Sequence, residues 1–163
     1  MFNERTDGAR MPASPEVSHR ILLVENNVDE RDATACGFEL EGAKVTPAAD
    51  GREALDALRN GPRPCLILLD LEMSGMDGWE FRRRQMLWPQ MARIPVIVVS
   101  GHPDLKVATR AMSARAVLAK PVEFGRLLHA VDEYCADADP EAGALRSRLS
   151  RTHPWSSASA RRH

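Results

Sequence analysis

The chain has 163 residues, of which 44% are hydrophobic and 28% charged, an ordinary composition for a soluble domain that buries roughly 70% of its unfolded surface. Lys and Arg number 22 against 23 Asp and Glu, and a net charge of −1 argues against nucleic-acid binding through bulk positive charge. No run approaches the ~20 apolar residues of a membrane span, and residues 1–18 carry scattered charges instead of the apolar block of a signal peptide.

Residues 1–18 contain Pro12 and Pro15 without periodicity and read as a loose leader. The first strand-like run is Ile21 to Val24, followed by a helical segment whose apolar face is marked by Ala33, Cys36 and Leu40 and which stops at Gly42. Lys44 to Thr46 is a weak second strand, and Ala54, Leu55 and Leu58 mark a second helix ending near Gly61. Cys65 to Leu69 is the third strand, and Gly78 to Leu87 the third helix, with Trp79 and Phe81 as its large residues. Val96 to Val99 and Ala116 to Ala119 are the last strands, separated by a helix carrying Leu105, Ala108 and Met112. Phe124, Leu127, Leu128, Val131 and Cys135 mark the final helix. Residues 136–163, rich in Ala, Ser, Arg and Pro, read as a mostly disordered tail too short to hold an output domain. The domain is therefore expected over 19–135. Five alternations of strand and helix, with nearly continuous apolar strands, predict an α/β doubly wound parallel sheet. Cys36, Cys65 and Cys135 show neither metal spacing nor a disulfide framework, and are expected as three buried thiols in a reducing cytoplasm.

Polar residues follow each of four strands: Glu25-Asn26-Asn27, Asp70-Leu71-Glu72, Ser100-Gly101-His102 and Lys120-Pro121. In an open parallel sheet these positions share one rim, where ligands bind. Carboxyl and carboxamide oxygens at close quarters suit a hard cation such as Mg²⁺. A hydroxyl and an ammonium opposite them suit phosphoryl oxygens, and a central Asp suits the nucleophile of an aspartyl phosphate.

With these residues in place, ILLVENNVDER, LILLDLEMSGMDGWEF, IPVIVVSGH and VLAKPV, in that order, resemble a bacterial two-component response-regulator receiver domain. The resemblance implies a flavodoxin-like, five-stranded parallel sheet of order 2-1-3-4-5 with five helices. It implies Asp70 as the phosphoacceptor, Ser100 as the switch hydroxyl and Lys120 as the phosphate-pairing lysine, aimed by a cis peptide before Pro121. Glu25, Asn26, Asp70 and the backbone carbonyl of Glu72 would form the Mg²⁺ site. The implied partner is a histidine kinase or a histidine phosphotransfer protein, with no nucleic acid and no membrane. Contacts to a downstream protein, or a homodimer, would use the surface of the fourth helix, fifth strand and fifth helix. The chain is expected to be a cytoplasmic, single-domain regulator and not an enzyme, assisting only its own phosphorylation and dephosphorylation.

Three positions depart from the pattern. Asn26 stands where Asp is usual, which predicts weaker Mg²⁺ binding. Val117 replaces the usual switch aromatic, and a shortened segment from Ser100 to Lys120 predicts a short or reshaped fourth helix. Ser74 replaces a usual Pro and loosens the loop after Asp70. Asn27 or Asp29 is expected to cap the first helix, His102 to be a loop residue, and Arg82-Arg83-Arg84 a solvated helix face. The competing reading is a degenerate receiver acting as a phosphorylation-independent interaction module. A phosphatase with an aspartyl nucleophile is disfavoured because Glu72 stands where such enzymes want a second Asp.

Overall fold

The structure, a computed structural model, describes residues 19–102 and 105–138, with residues 105, 106, 108, 109 and 136–138 described by their backbone only. The expected leader over 1–18 and the expected tail beyond 138 lie outside the described residues.

The strands are β1 (Arg20–Val24), β2 (Lys44–Ala48), β3 (Leu66–Leu69), β4 (Val96–Ser100) and β5 (Ala116–Ala119). All pair in parallel, in the order β2-β1-β3-β4-β5. The apolar runs explain the centre of this order: Ile21 to Val24, Leu66 to Leu69 and Val96 to Val98 are all buried, as parallel strands covered on both faces must be. β2 carries Pro47 and lies at an edge, where a missing N–H leaves no ladder bond broken.

The helices are α1 (Val28–Leu40), α2 (Gly51–Asn60), α3 (Gly78–Met86), α4 (Pro89–Ala92), α5 (Leu105–Met112) and α6 (Phe124–Ala138). Among the described residues six helices stand where five were expected. The extra one is a four-residue turn started by Pro89 at its first position, where proline's fixed φ suits a helix. α5, the fourth helix of the sequence reading, has 8 residues. α6 continues to Ala138, beyond the expected boundary at Cys135.

Successive side chains of each strand feed opposite faces. Leu22, Val24, Ile67, Leu69, Val96 and Val98 pack with Ala54, Leu55 and Leu58 of α2 and Phe81 of α3. Ile21, Leu23, Leu66, Leu68 and Ile97 pack with Phe38 of α1 and with Leu127, Val131 and Cys135 of α6. Phe38 and Phe81 are fully buried, and each such ring contributes about 1.5–3 kcal/mol.

The α1 face differs from the expectation. Ala33 and Cys36 are exposed and Leu40 is 82% exposed, while Phe38 is buried. The larger side chain sets the face: the Phe38 and Phe124 ring centroids lie 5.0 Å apart, and Gly37 admits the Phe124 ring so closely that a Cβ would meet Cε2 at 2.7 Å. Gly42 does end the helix, at φ +88°.

Two further expectations are corrected. Cys65 and Cys135 form a disulfide between the start of β3 and α6, with Cα atoms 5.3 Å apart, and Cys36 is exposed. Parallel pairing and α6 packing bring together two cysteines that are 70 residues apart in sequence. Arg82 is not on a solvated face. It is 5% exposed. It donates from Nε to the Met112 carbonyl at 2.8 Å and from Nη1 to Gln85 Oε1 at 2.7 Å, fastening α3 to the end of α5. Burial lowers its pKa. Arg83 and Arg84 are exposed and pair with Glu80.

Candidate functional site

Strand order reverses between β1 and β3, so the chain leaves their carboxyl ends in opposite directions and opens a crevice. Glu25 follows β1 and Asp70 follows β3. Each is held by a backbone bond that extends the sheet: the Glu25 N–H donates to the Ala48 carbonyl and the Asp70 N–H to the Val24 carbonyl, both at 3.0 Å. The two acids are 6% and 7% exposed.

Each oxygen of these acids has a partner. Glu25 Oε1 accepts the Asn27 N–H at 2.9 Å, and the Glu25 carbonyl accepts Arg31 Nη1 at 2.8 Å. Asp70 Oδ1 accepts the Leu71 N–H at 2.6 Å and the Glu72 N–H at 3.3 Å. Lys120 reaches across from β5 and donates through Nζ to Glu25 Oε2 at 2.6 Å and Asp70 Oδ2 at 3.1 Å. A third carboxylate, Glu30 Oε2, accepts from the same ammonium at 2.8 Å. Burial pushes the Lys120 pKa down, but the bonds to Glu25, Glu30 and Asp70 together outweigh it and hold the ammonium above its ordinary range. The peptide between Lys120 and Pro121 is cis, as expected.

Ser100 ends β4 and is fully buried. Its carbonyl accepts the Lys120 N–H at 3.0 Å, and its Oγ accepts the His102 N–H at 3.2 Å. Asn26 is exposed beside Glu25, and Asn27 caps α1 by accepting the Glu30 N–H at 3.1 Å. Glu72 is exposed in the loop after Asp70. Val117 pairs with Val98 in the sheet and packs, half-buried, against the α2–α3 side of the core. The site opens on a cleft of about 490 Å³, with Glu25, Glu30, Asp70 and Lys120 on its polar wall and Val122 and Leu127 on its apolar one.

The structure thus brings Glu25, Asp70 and Lys120 into direct contact and fixes Ser100 to Lys120 through the backbone. Asn26 lies on the exposed shoulder, and Glu72 supplies a backbone donor. Glu30 was missed by sequence reasoning. Its position, three residues after the capping Asn27, reads as an ordinary helix-start acid; nothing in the sequence signals that it turns to a lysine 90 residues away.

The loop after Asp70 is held close. Gly78 starts α3 directly against it, and a Cβ there would lie 2.3 Å from the Asp70 carbonyl oxygen. Asp77 caps α3 by accepting the Glu80 N–H at 2.8 Å. Gly75 has φ +83°, a conformation that side chains other than glycine rarely adopt. These contacts hold the loop that contains Ser74.

Two buried carboxylates sharing one ammonium at the switch point of a parallel sheet can bind a hard cation and receive a phosphoryl group. Comparison with known proteins identifies the family. The chain matches the response regulator receiver domain over residues 21–132. It is 30% identical to sporulation initiation phosphotransferase F of Bacillus subtilis over 118 residues, covering 72% of this chain and 94% of that protein. It is 33% identical over 123 residues to the C4-dicarboxylate transport transcriptional regulatory protein DctD of Pseudomonas aeruginosa, 74% of this chain but 26% of that longer protein. A CheY-like receiver domain protein from Methanospirillum hungatei superposes with a TM-score of 0.67 at 29% identity, covering 76% of this chain and 98% of that one. The receiver domain of the Pseudomonas aeruginosa sensor histidine kinase PA1611, solved with magnesium in its active-site cleft, shares the fold at a TM-score of 0.67 and 23% identity, with 73% and 98% covered. The sheet order, the acids at its switch point and this match together place the chain in the response regulator receiver domain family.

Proposed function

We propose that Asp70 accepts a phosphoryl group from a phosphohistidine of a histidine kinase or a histidine phosphotransfer protein, and that the phosphorylated form changes the contacts of the chain with other proteins. The observation that carries this reading is the placement of Lys120 Nζ between Glu25 Oε2 and Asp70 Oδ2, at 2.6 and 3.1 Å, in a cleft open to a partner. In the transfer, an Asp70 carboxylate oxygen attacks phosphorus, the phosphorus–nitrogen bond to the donor imidazole breaks, and the imidazole keeps the electron pair. The product is an acyl phosphate.

The donor set fits Mg²⁺. Glu25 and Asp70 offer carboxylates from adjacent strand ends, Asn26 a carboxamide at the shoulder, and Glu72 its carbonyl, all oxygen atoms as a hard cation prefers. When bound, Mg²⁺ supplies positive charge against the phosphoryl oxygens. The residues of the chain do the positioning. Backbone donors from Leu71 and Glu72 orient the Asp70 carboxylate. Lys120, held charged by its neighbours, pairs with a phosphoryl oxygen once its bonds to the free acids loosen. The Ser100 hydroxyl, at the end of β4, moves to bond another. Glu30 keeps hold of the Lys120 head from the solvent side.

The test is incubation of the full chain with a small acyl phosphate and Mg²⁺, read by intact mass. One added phosphoryl group, absent from Asp70→Asn and from samples with chelator, is expected. No addition under any condition would leave the interaction module as the better reading.

A further inference from the structure

At the opposite end of the sheet from Asp70, a second cluster joins three segments. His19 immediately precedes β1, Cys65 immediately precedes β3, and Cys135 lies on α6. Parallel pairing brings the first two close: Cys65 is level with Arg20, the residue after His19, and its N–H donates to the Arg20 carbonyl at 2.8 Å. His19 has the same strand parity as Ile21 and Leu23, which face α6. One ring nitrogen of His19 and the two sulfurs all lie within 4.8 Å of one another. His19 is 9% exposed and Cys135 fully buried. Asp132, one turn before Cys135 on α6, places Oδ1 3.6 Å from His19 Nε2.

Two sulfurs and an imidazole converging in a largely buried site, with a carboxylate against the imidazole, are the ligands and the outer partner of a thiolate–histidine metal centre. Tetrahedral zinc, with bonds of about 2.0–2.3 Å, separates its ligand atoms by roughly 3.3–3.8 Å. With the sulfur–sulfur bond open, three ligand atoms that already lie within 4.8 Å of one another can settle at that spacing, and the two cysteine backbones, 5.3 Å apart at Cα, are within reach of one ion.

We propose that His19, Cys65 and Cys135 form a redox-gated zinc site, closed as a disulfide when oxidised and binding Zn²⁺ when reduced. Opening it takes two electrons: two molecules of a small thiol give two cysteine thiols and one small-molecule disulfide. The half-exposed Cys65 is the sulfur such a thiol reaches first, and Cys135 leaves as the thiolate. Zinc then replaces two thiol protons, which go to solvent. Asp132 is a positioning residue that orients the His19 ring. Bound metal would tie α6 to β3, as the disulfide does, and to β1 through His19, so the final helix keeps its anchor in either redox state.

The test uses the full chain in a Cys36→Ser background, which removes the exposed thiol. Reduced protein, freed of reductant without air, is titrated with Co²⁺ as a spectroscopic stand-in. One equivalent should produce the intense thiolate-to-cobalt absorption of a tetrahedral site, and one equivalent of Zn²⁺ should bleach it. The oxidised protein should give no band. Cys135→Ser should abolish the band, and Asp132→Asn should weaken binding about 10–100-fold with the band retained. In case a variant fails to fold, Zn²⁺ should protect Cys65 and Cys135 from alkylation in the reduced parent, read by peptide mass. Absence of the thiolate band and of this protection in the reduced parent, or a band unchanged in Cys135→Ser, overturns the proposal and leaves a disulfide only.

Discussion

Lys120→Met removes the ammonium shared by Glu25, Glu30 and Asp70 while keeping most of the aliphatic stem. The Glu25 and Asp70 side chains are each 8% exposed and that of Lys120 is 23% exposed. Deleting one partner of a buried ion pair costs about 3–5 kcal/mol, because the other charge stays buried without its counterion. Partial exposure of the lysine places the cost near the lower bound, at about 3 kcal/mol. Glu30, 52% exposed, adds less than about 1 kcal/mol. In chelator, urea unfolding followed by circular dichroism should therefore show a lower midpoint with an unchanged slope. On the proposed function, Mg²⁺ binds the folded chain and not the unfolded one. At 100 times its Kd it returns about 2.7 kcal/mol, most of what the substitution removed. The variant should also bind Mg²⁺ more tightly than the parent, since no ammonium competes for the two acids. A variant within about 0.5 kcal/mol of the parent in chelator, or one that Mg²⁺ does not restore, would refute the electrostatic account of the site.

Asn26→Asp adds a charge at the shoulder of the site and should tighten Mg²⁺ binding about tenfold, or ~1.4 kcal/mol, by calorimetric titration. An unchanged affinity would mean that Asn26 does not reach the cation. Gly78→Ala drives a Cβ to 2.3 Å from the Asp70 carbonyl oxygen. Overpacking of about 1–3 kcal/mol should outweigh the ~1 kcal/mol helix gain of alanine, and phosphorylation by a small donor should slow as the loop shifts. Arg82→Met leaves the buried Met112 carbonyl and Gln85 Oε1 without their donor and should cost about 2–3 kcal/mol in thermal or urea unfolding. By contrast, Arg59, whose guanidinium lies 4.1 Å from the Trp88 ring centroid, is half-exposed, and Arg59→Ala should cost less than about 1 kcal/mol.

The strand–helix alternation and the residues that meet at the carboxyl end of the sheet were legible because each leaves a local trace, whereas the strand order came only with the family resemblance. Leu66 to Leu69 are apolar throughout, since a central parallel strand is covered on both sides, and a charge directly after such a run must sit at the rim. The cap of α1 was legible as either Asn27 or Asp29, and the cis peptide before Pro121 was implied by the family resemblance. The faces of weakly patterned helices were not. α1 has one large buried side chain, and Phe38 takes the interior because Phe124, 86 positions later, is there to receive it. Arg82 is indistinguishable in sequence from Arg83 and Arg84, and only the carbonyls at the end of α5 separate them.

By itself the amino-acid order determined which segments become strands, where the chain turns, and which acids and which lysine share one end of the sheet, because these follow from periodicity and from the twofold covering of buried strands. Tertiary structure alone decided that Glu30 joins Lys120, that Arg82 is buried, and that His19, Cys65 and Cys135 converge. Each of those contacts spans 30 or more positions. Such pairings are set by how β1, β3, α5 and α6 pack, and packing at that range leaves no spacing in the sequence to read.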